Sequence, residues 1–157
     1  MNVSIRSARL DDANELARLR WEFRVEHGTP ATTAFGDFVG RFRAFVADVL
    51  VGKAWRVWVA EEGDRLVGCV WLQLVEKVPH PNPVRSQRPV AYLTNMYVEP
   101  STRNGGVGRQ LLDAAVAHAR EAGVDGVLLW PSERSVPFYR RAGFEPGGWL
   151  WLDVAGD

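Results

Sequence analysis

The run Arg103-Asn104-Gly105-Gly106-Val107-Gly108 stands between an extended segment and a stretch of helical periodicity, and that placement gives it a chemistry. Glycine lets a backbone come close to a ligand and adopt conformations closed to larger residues. At the start of a helix, unpaired N–H groups and the positive end of the helix dipole receive phosphate oxygens. The same residues can also serve only to join a strand to a helix, so anion cradle and plain turn both stand open on spacing alone. The Gly-Lys-Ser or Gly-Lys-Thr ending of a nucleoside-triphosphate loop is absent. A dinucleotide fingerprint would follow the first strand and carry a downstream acidic residue, whereas this turn comes late, after a meander-like region.

Elsewhere the reactive residue types do not assemble into a known constellation. Cys69 is the only cysteine and lies in the apolar run Val67 to Leu72; it reads as a small buried hydrophobe. His118 sits inside the helix after the glycine turn with no His, Cys, Asp or Glu at a recognised metal spacing, so no metal is expected. Ser132 and Ser135 have no motif that would fix them against a histidine, and a nucleophilic triad is not indicated.

These residues must be positioned by elements that the periodicity predicts. Val3 to Ala8 is compatible with an opening strand, and Asp11 or Asp12 could cap a helix from Ala13 to about Glu26, in which Leu16 and Phe23 share a side. Gly28 and Pro30 end it. A second helix over Phe35 to Leu50 carries Phe38, Phe42, Phe45 and Val49 at three- and four-residue spacing; such an aromatic stripe reads first as packing, with a groove wall as the alternative. Trp55 to Glu61 and Leu66 to Val75 form a hairpin about Glu62-Gly63-Asp64. Prolines 79, 81, 83 and 89 make the next segment a loop. Ala91 to Val98 is a strand, Gly106 to Ala122 a helix, and Gly126 to Trp130 a further strand. Ser135 caps a short helix holding Phe138 and Tyr139, and Phe144 and Trp149 to Val154 supply terminal strands. The pattern is mixed α/β in a single domain over residues 1–157, without an internal repeat.

Composition narrows the function classes. Nineteen Lys plus Arg balance nineteen Asp plus Glu, so attraction to nucleic acid or to an anionic membrane has no support in net charge. Zero net charge offers little colloidal repulsion and permits self-association, with a homodimer among the allowed forms. No signal-peptide region or apolar stretch long enough to cross a membrane is seen, and a cytoplasmic location is expected.

The distribution of motifs resembles the GNAT N-acetyltransferase superfamily. That family's pattern of Arg or Gln, two variable residues, Gly, one variable residue, then Gly or Ala is matched by Arg103, Gly106 and Gly108. Leu93-Thr94-Asn95-Met96-Tyr97-Val98-Glu99-Pro100 looks like its fourth strand, Leu111-Leu112 continues its following helix, and Phe138-Tyr139-Arg140-Arg141-Ala142-Gly143-Phe144 resembles its late aromatic and Gly-Phe motif. The diagnostic part spans roughly Ala91 to Phe144. The resemblance implies an acyl-CoA N-acyltransferase fold, a mixed and mainly antiparallel central sheet flanked by helices, that splays beside the fourth strand. It further implies acetyl-CoA as cosubstrate, with Asn95, Met96, Tyr97 and Val98 orienting pantetheine or the acetyl carbonyl. Arg103, Asn104, Gly105, Gly106, Val107 and Gly108 would surround the pyrophosphate.

An acetyl thioester is already activated, so the implied chemistry is direct attack by a neutral amine in a ternary complex. The backbone N–H of Met96 or Tyr97 is the candidate donor to the acetyl oxygen. Tyr139 matches the late position that protonates the departing thiolate in many members. Glu26, Glu99 and Glu133 are candidate bases, ahead of His80, while His27 ends the first helix beside Glu26. A small-molecule amine is favoured as acceptor, contacted by apolar residues among Trp21, Phe23, Trp71 and Trp130 and covered by Val78 to Pro89. A peptide or protein N-terminus is an alternative acceptor, and a non-catalytic acyl-CoA sensor an alternative function.

Overall fold

Apolar runs build the strands of the sheet, and one tight turn about Gly63 folds a hairpin. The computed structural model describes residues 2–29, 32–82 and 88–147. Strands β1 (Val3–Ser7), β2 (Trp55–Glu62), β3 (Arg65–Val75), β4 (Val90–Val98) and β5 (Val127–Leu128) lie side by side in sequence order. The first three pairings are antiparallel and β4 pairs β5 in parallel. Helices α1 (Ala13–Glu26) and α2 (Phe35–Val51) precede β2; α3 (Val107–Glu121) and α4 (Val136–Arg141) follow β4 and β5. This is the mixed, mainly antiparallel sheet flanked by helices that the family resemblance implies.

The sheet buries both faces. Leu16 and Leu19 of α1 and Val46 and Val49 of α2 pack on Val57, Val59, Cys69 and Trp71. On the opposite face Leu111, Leu112, Ala115 and Ala119 of α3 pack on Val70, Leu72, Ala91 and Leu93. Two bulges set which side chains reach which layer, because an extra residue on one strand reverses its in-out alternation. In β3 the pairing steps from Ala60↔Gly68 to Glu61↔Leu66, skipping Val67. In β4 it steps from Trp71↔Thr94 to Cys69↔Tyr97, so Asn95 and Met96 together oppose Val70. Ala91 and Leu93 before that second bulge, and Met96 and Val98 after it, therefore face the α3 layer. Gly68 permits the close approach of the two strands: a Cβ there would lie 2.9 Å from the Tyr97 carbonyl oxygen.

Three local expectations are corrected. Asp12 does not cap α1 with its side chain; its carboxylate accepts from the Arg6 guanidinium at 2.8 and 2.9 Å and from the Arg9 N–H at 2.6 Å. The expected strand from Gly126 to Trp130 is limited to Val127–Leu128, because the chain leaves the sheet once β5 has paired Ala91 and Tyr92. Phe144 is not in a strand; its ring packs edge-on against Tyr139 at 5.6 Å. The strand expected over Trp149 to Val154 lies outside the described residues.

Candidate active site

The early departure of β5 opens the sheet. Beyond Tyr92, β4 runs on through Leu93 to Val98 while Leu129 to Ser135 follows a separate course, and a cleft of about 930 Å³ lies between them. The N-terminal end of α3 closes one end, α4 contributes Phe138 and Tyr139, and the last turns of α1 contribute Arg20, Phe23, Arg24 and His27.

The glycine turn is shaped for α3 to begin facing this cleft. Asn104 and Gly106 have φ of 66° and 82°, left-handed values that turn the chain sharply before Val107. Gly106 is the N-cap of α3, and no side chain caps the helix, so its first N–H groups retain their hydrogen-bonding capacity for a ligand. A Cβ on Gly106 would meet nothing nearer than 4.0 Å; conformation, rather than crowding within the protein, calls for glycine here. Gly108 turns the bare side of the first helical turn toward Met96, Val98 and Phe138.

Of the residues expected to hold cofactor, Asn95, Met96, Tyr97, Val98, Arg103, Asn104, Gly106 and Gly108 line the cleft, whereas Gly105 and Val107 do not. Val107 is 4% exposed and belongs to the core. The β4 bulge at Asn95, whose φ is 48°, interrupts the ladder in mid-cleft. The buried Cys69 thiol, pushed up to about 12 by burial, donates to the Asn95 carbonyl at 3.6 Å. Tyr139 reaches the same bulge from the other wall: its hydroxyl donates to Met96 Sδ at 3.5 Å. Burial raises this phenol to about 12, so it remains a neutral donor across the physiological range. Phe138 and Phe144 pack around the ring.

The three candidate glutamates stand elsewhere. Glu99 is 5% exposed and is held by Arg18 at 2.5 Å and Arg65 at 2.9 Å; it joins α1 to the β2–β3 hairpin. Glu133 is exposed in the 3-10 turn before α4. Glu26 receives both terminal nitrogens of Arg103, at 2.8 and 2.7 Å, and Arg134 at 3.2 Å, and hydrogen bonding to Arg103 holds its carboxyl down near 2. None of the three is in the cleft wall. Arg103, expected to add charge toward a pyrophosphate, is engaged in this fork and also donates to the Val98 carbonyl at 2.9 Å.

Sequence reasoning underrated two wall residues. His27 places Nδ1 2.8 Å from the Phe23 carbonyl; a carbonyl only accepts, so Nδ1 carries the hydrogen and Nε2 of the neutral ring keeps a lone pair. Arg20 also lines the cleft and donates to Asn95 Oδ1 at 3.1 Å. The signal available was weak: a polar residue on the apolar side of α1, one turn before Phe23. Trp130 and Phe23 line the cleft, Trp71 lines a smaller adjoining cavity, and Trp21 packs on Phe35 and Phe38. His118 instead lies against Trp58 at 5.5 Å. Among the described residues no group of three or more His, Cys, Asp or Glu is disposed to hold a metal ion, and no helix is long and apolar enough to cross a membrane.

A splayed mixed sheet, a bulged fourth strand and an uncapped glycine-led helix define a class of acyl-CoA-binding folds. The acetyltransferase (GNAT) domain model matches residues 53–146, and the chain belongs to that family. A GCN5-related N-acetyltransferase from Ralstonia eutropha JMP134 superimposes with a TM-score of 0.81 at 29% identity, over 99% of this chain and all of its own. A structure described as a predicted acetyltransferase with acetyl-CoA, from Clostridium acetobutylicum, gives a TM-score of 0.83 over 98% and 97% of the two chains. Its identity of 23% carries the fold alone. A mycothiol acetyltransferase from Propionibacterium freudenreichii is 36% identical over 87 residues, 54% of this chain and 25% of its own length. The chain thus spans about a quarter of that relative.

Proposed function

We propose that the chain is an acetyl-CoA-dependent N-acetyltransferase that acetylates a primary amine by direct attack in a ternary complex. The observation that carries this reading is the convergence of the Tyr139 hydroxyl on the β4 bulge inside a cleft that starts at the α3 N-terminus. Family membership supports acetyl-CoA as the donor. The first N–H groups of α3 and the backbone of Asn104 to Gly108 would hold the pyrophosphate, and the bulged backbone at Asn95 to Tyr97 would receive the pantetheine and the acetyl oxygen.

The amine nitrogen attacks the thioester carbon, the C–S bond breaks, and the products are an N-acetyl amine and coenzyme A. The nitrogen loses one proton and the sulfur gains one. Complete transfer from a phenol at about 12 to a thiolate of about 8.5 runs uphill. Tyr139 therefore serves the departing sulfur as a hydrogen-bond donor and keeps its own proton; the proton that the sulfur gains is the one that the amine nitrogen loses, carried by the base. For the amine proton, His27 Nε2 is the acceptor that the wall offers, directly or through water. Glu26, Glu99 and Glu133 are the competing candidates, and Glu26 near 2 is a weak base at neutral pH.

A small amine is the proposed acceptor. Glu26 joins Arg103 on the β4–α3 turn to Arg134 on the facing segment, and this link between two residues of the cleft wall would hinder an extended peptide. Tyr139→Phe tests the mechanism under single-turnover conditions. Acetyl-CoA binding should persist while transfer falls about 100-fold, the usual scale of a positioned proton donor; wild-type transfer would remove Tyr139 from the chemistry.

A further inference from the structure

Arg20 stands where two cavities meet. The cleft and a second cavity of about 170 Å³ share Arg20, Thr94 and Asn95 in their walls, and the remaining walls of the second are the rings of Phe42, Phe45, Trp55 and Trp71. These rings form one cluster, with Trp71 5.9 Å from both Phe42 and Phe45 and 6.1 Å from Trp55. The alcove therefore offers an apolar site to a ligand whose reacting end lies at the β4 bulge.

Beside the Thr94 hydroxyl and the Asn95 amide, the polar group at its mouth is the Arg20 guanidinium. Arg20 gives one nitrogen to Asn95 Oδ1 and faces Phe23 at 5.7 Å; among the described residues it makes no ion pair. Burial and the neighbouring Arg24 lower its pKa, the direction expected of a desolvated cation without an acidic partner. Among the described residues the buried Trp71 Nε1 donor has no hydrogen-bond partner. A half-buried guanidinium without an acidic neighbour is a receptor for a carboxylate or phosphate, and among the described residues no carboxylate lines either cavity.

We infer that the acceptor amine is an apolar α-amino acid, with its carboxylate on Arg20, its side chain in the aromatic alcove and its amino group at the Asn95 bulge. This deepens the acetyltransferase reading and rests on it. A single guanidinium matches the single charge of a carboxylate and presents the planar fork that a carboxylate accepts. The ring-lined alcove suits an aliphatic or aromatic side chain and is poor solvent for a sugar phosphate. Arg20 is thus a specificity-determining residue for the acceptor, distinct from Arg103, which is committed to Glu26.

The test compares acetylation of phenylalanine and leucine with that of their amides, of phenethylamine, of serine and of glucosamine 6-phosphate, using the whole chain and acetyl-CoA. The free amino acids should exceed their own amides in kcat/KM by on the order of 10- to 100-fold, the value of a hydrogen-bonded charge. Arg20→Gln should bring that ratio close to one, and Arg20→Lys should keep part of it. Phe45→Ser should reduce the preference for leucine over serine. Acid and amide acetylated equally by wild type, a preference for glucosamine 6-phosphate, or a ratio unchanged in Arg20→Gln would each overturn the inference. The wild-type ratio decides the matter should the Arg20 variants fail to fold. Transfer to some amine without a carboxylate preference sinks this inference alone, whereas transfer to no amine sinks the acetyltransferase reading with it.

Discussion

At the residue scale, the neighbours of each ionisable group decide what it can do. Glu26 and Glu99 look equally able to accept a proton in the sequence, yet each is committed to arginines. Because Glu26 titrates near 2 in the fold instead of near 4.5, its contribution to stability is present above about 4.5 and is lost as pH falls toward 2. Glu26→Gln should therefore cost up to about 1 kcal/mol at neutral pH, the scale of a partly exposed ion pair, and the difference from wild type should shrink between pH 4.5 and 2. Urea unfolding at pH 7, 4 and 3 reads this directly; a constant difference would show that the carboxylate is not held by charge. Tyr139 obeys the opposite logic, since burial keeps it protonated up to about 12. Tyr139→Phe should lower the whole pH–rate profile between 6 and 10 without moving its limbs, and a lost alkaline limb would instead mean that the phenol titrates in that range.

At the element scale, the strand and helix spans were legible because their signals are local. The α2 periodicity from Phe35, the hairpin about Gly63 and the amphipathic α3 depend on spacing along one segment, and the structure differs from them only at the ends. Part of the cleft was legible for the same reason: its glycine turn and the Asn95 to Val98 stretch lie close together in sequence. The alcove was not, because its wall joins Arg20, Phe42, Trp55, Trp71 and Thr94, and no local pattern reports that five separate segments meet. The β4 bulge was hidden too, since Asn95 and Met96 disturb an alternation that reads as continuous in the sequence. Two glycines carry testable consequences here. Gly106→Val forces a β-branched residue to φ near 82°, at a cost of about 1–3 kcal/mol, and should raise the acetyl-CoA dissociation constant by calorimetry while leaving the ranking of amines intact. Unchanged affinity in the folded variant would place the phosphates elsewhere. Gly68→Ala sets a methyl 2.9 Å from the Tyr97 carbonyl, so it should destabilise the fold and spread β3 from β4; a wild-type melting temperature would show that the strands yield freely.

At the scale of the whole molecule, two hydrophobic layers clamp the sheet while its β4–β5 seam comes apart. The proposed function follows from that division: packing fixes the bulge and Tyr139, and the open seam would admit two ligands to the same point. The account stands on acetyl movement from coenzyme A to nitrogen. The most direct measurement is mass spectrometry of metal-stripped protein incubated with isotopically labelled acetyl-CoA and a mixed panel of small amines, amino acids and peptides. The account predicts a labelled N-acetyl product that forms with one equivalent of coenzyme A, requires the folded chain, and is greatly diminished by Tyr139→Phe. Folded protein that binds acetyl-CoA yet labels no member of the panel, or labels it equally well with Tyr139→Phe, would contradict it.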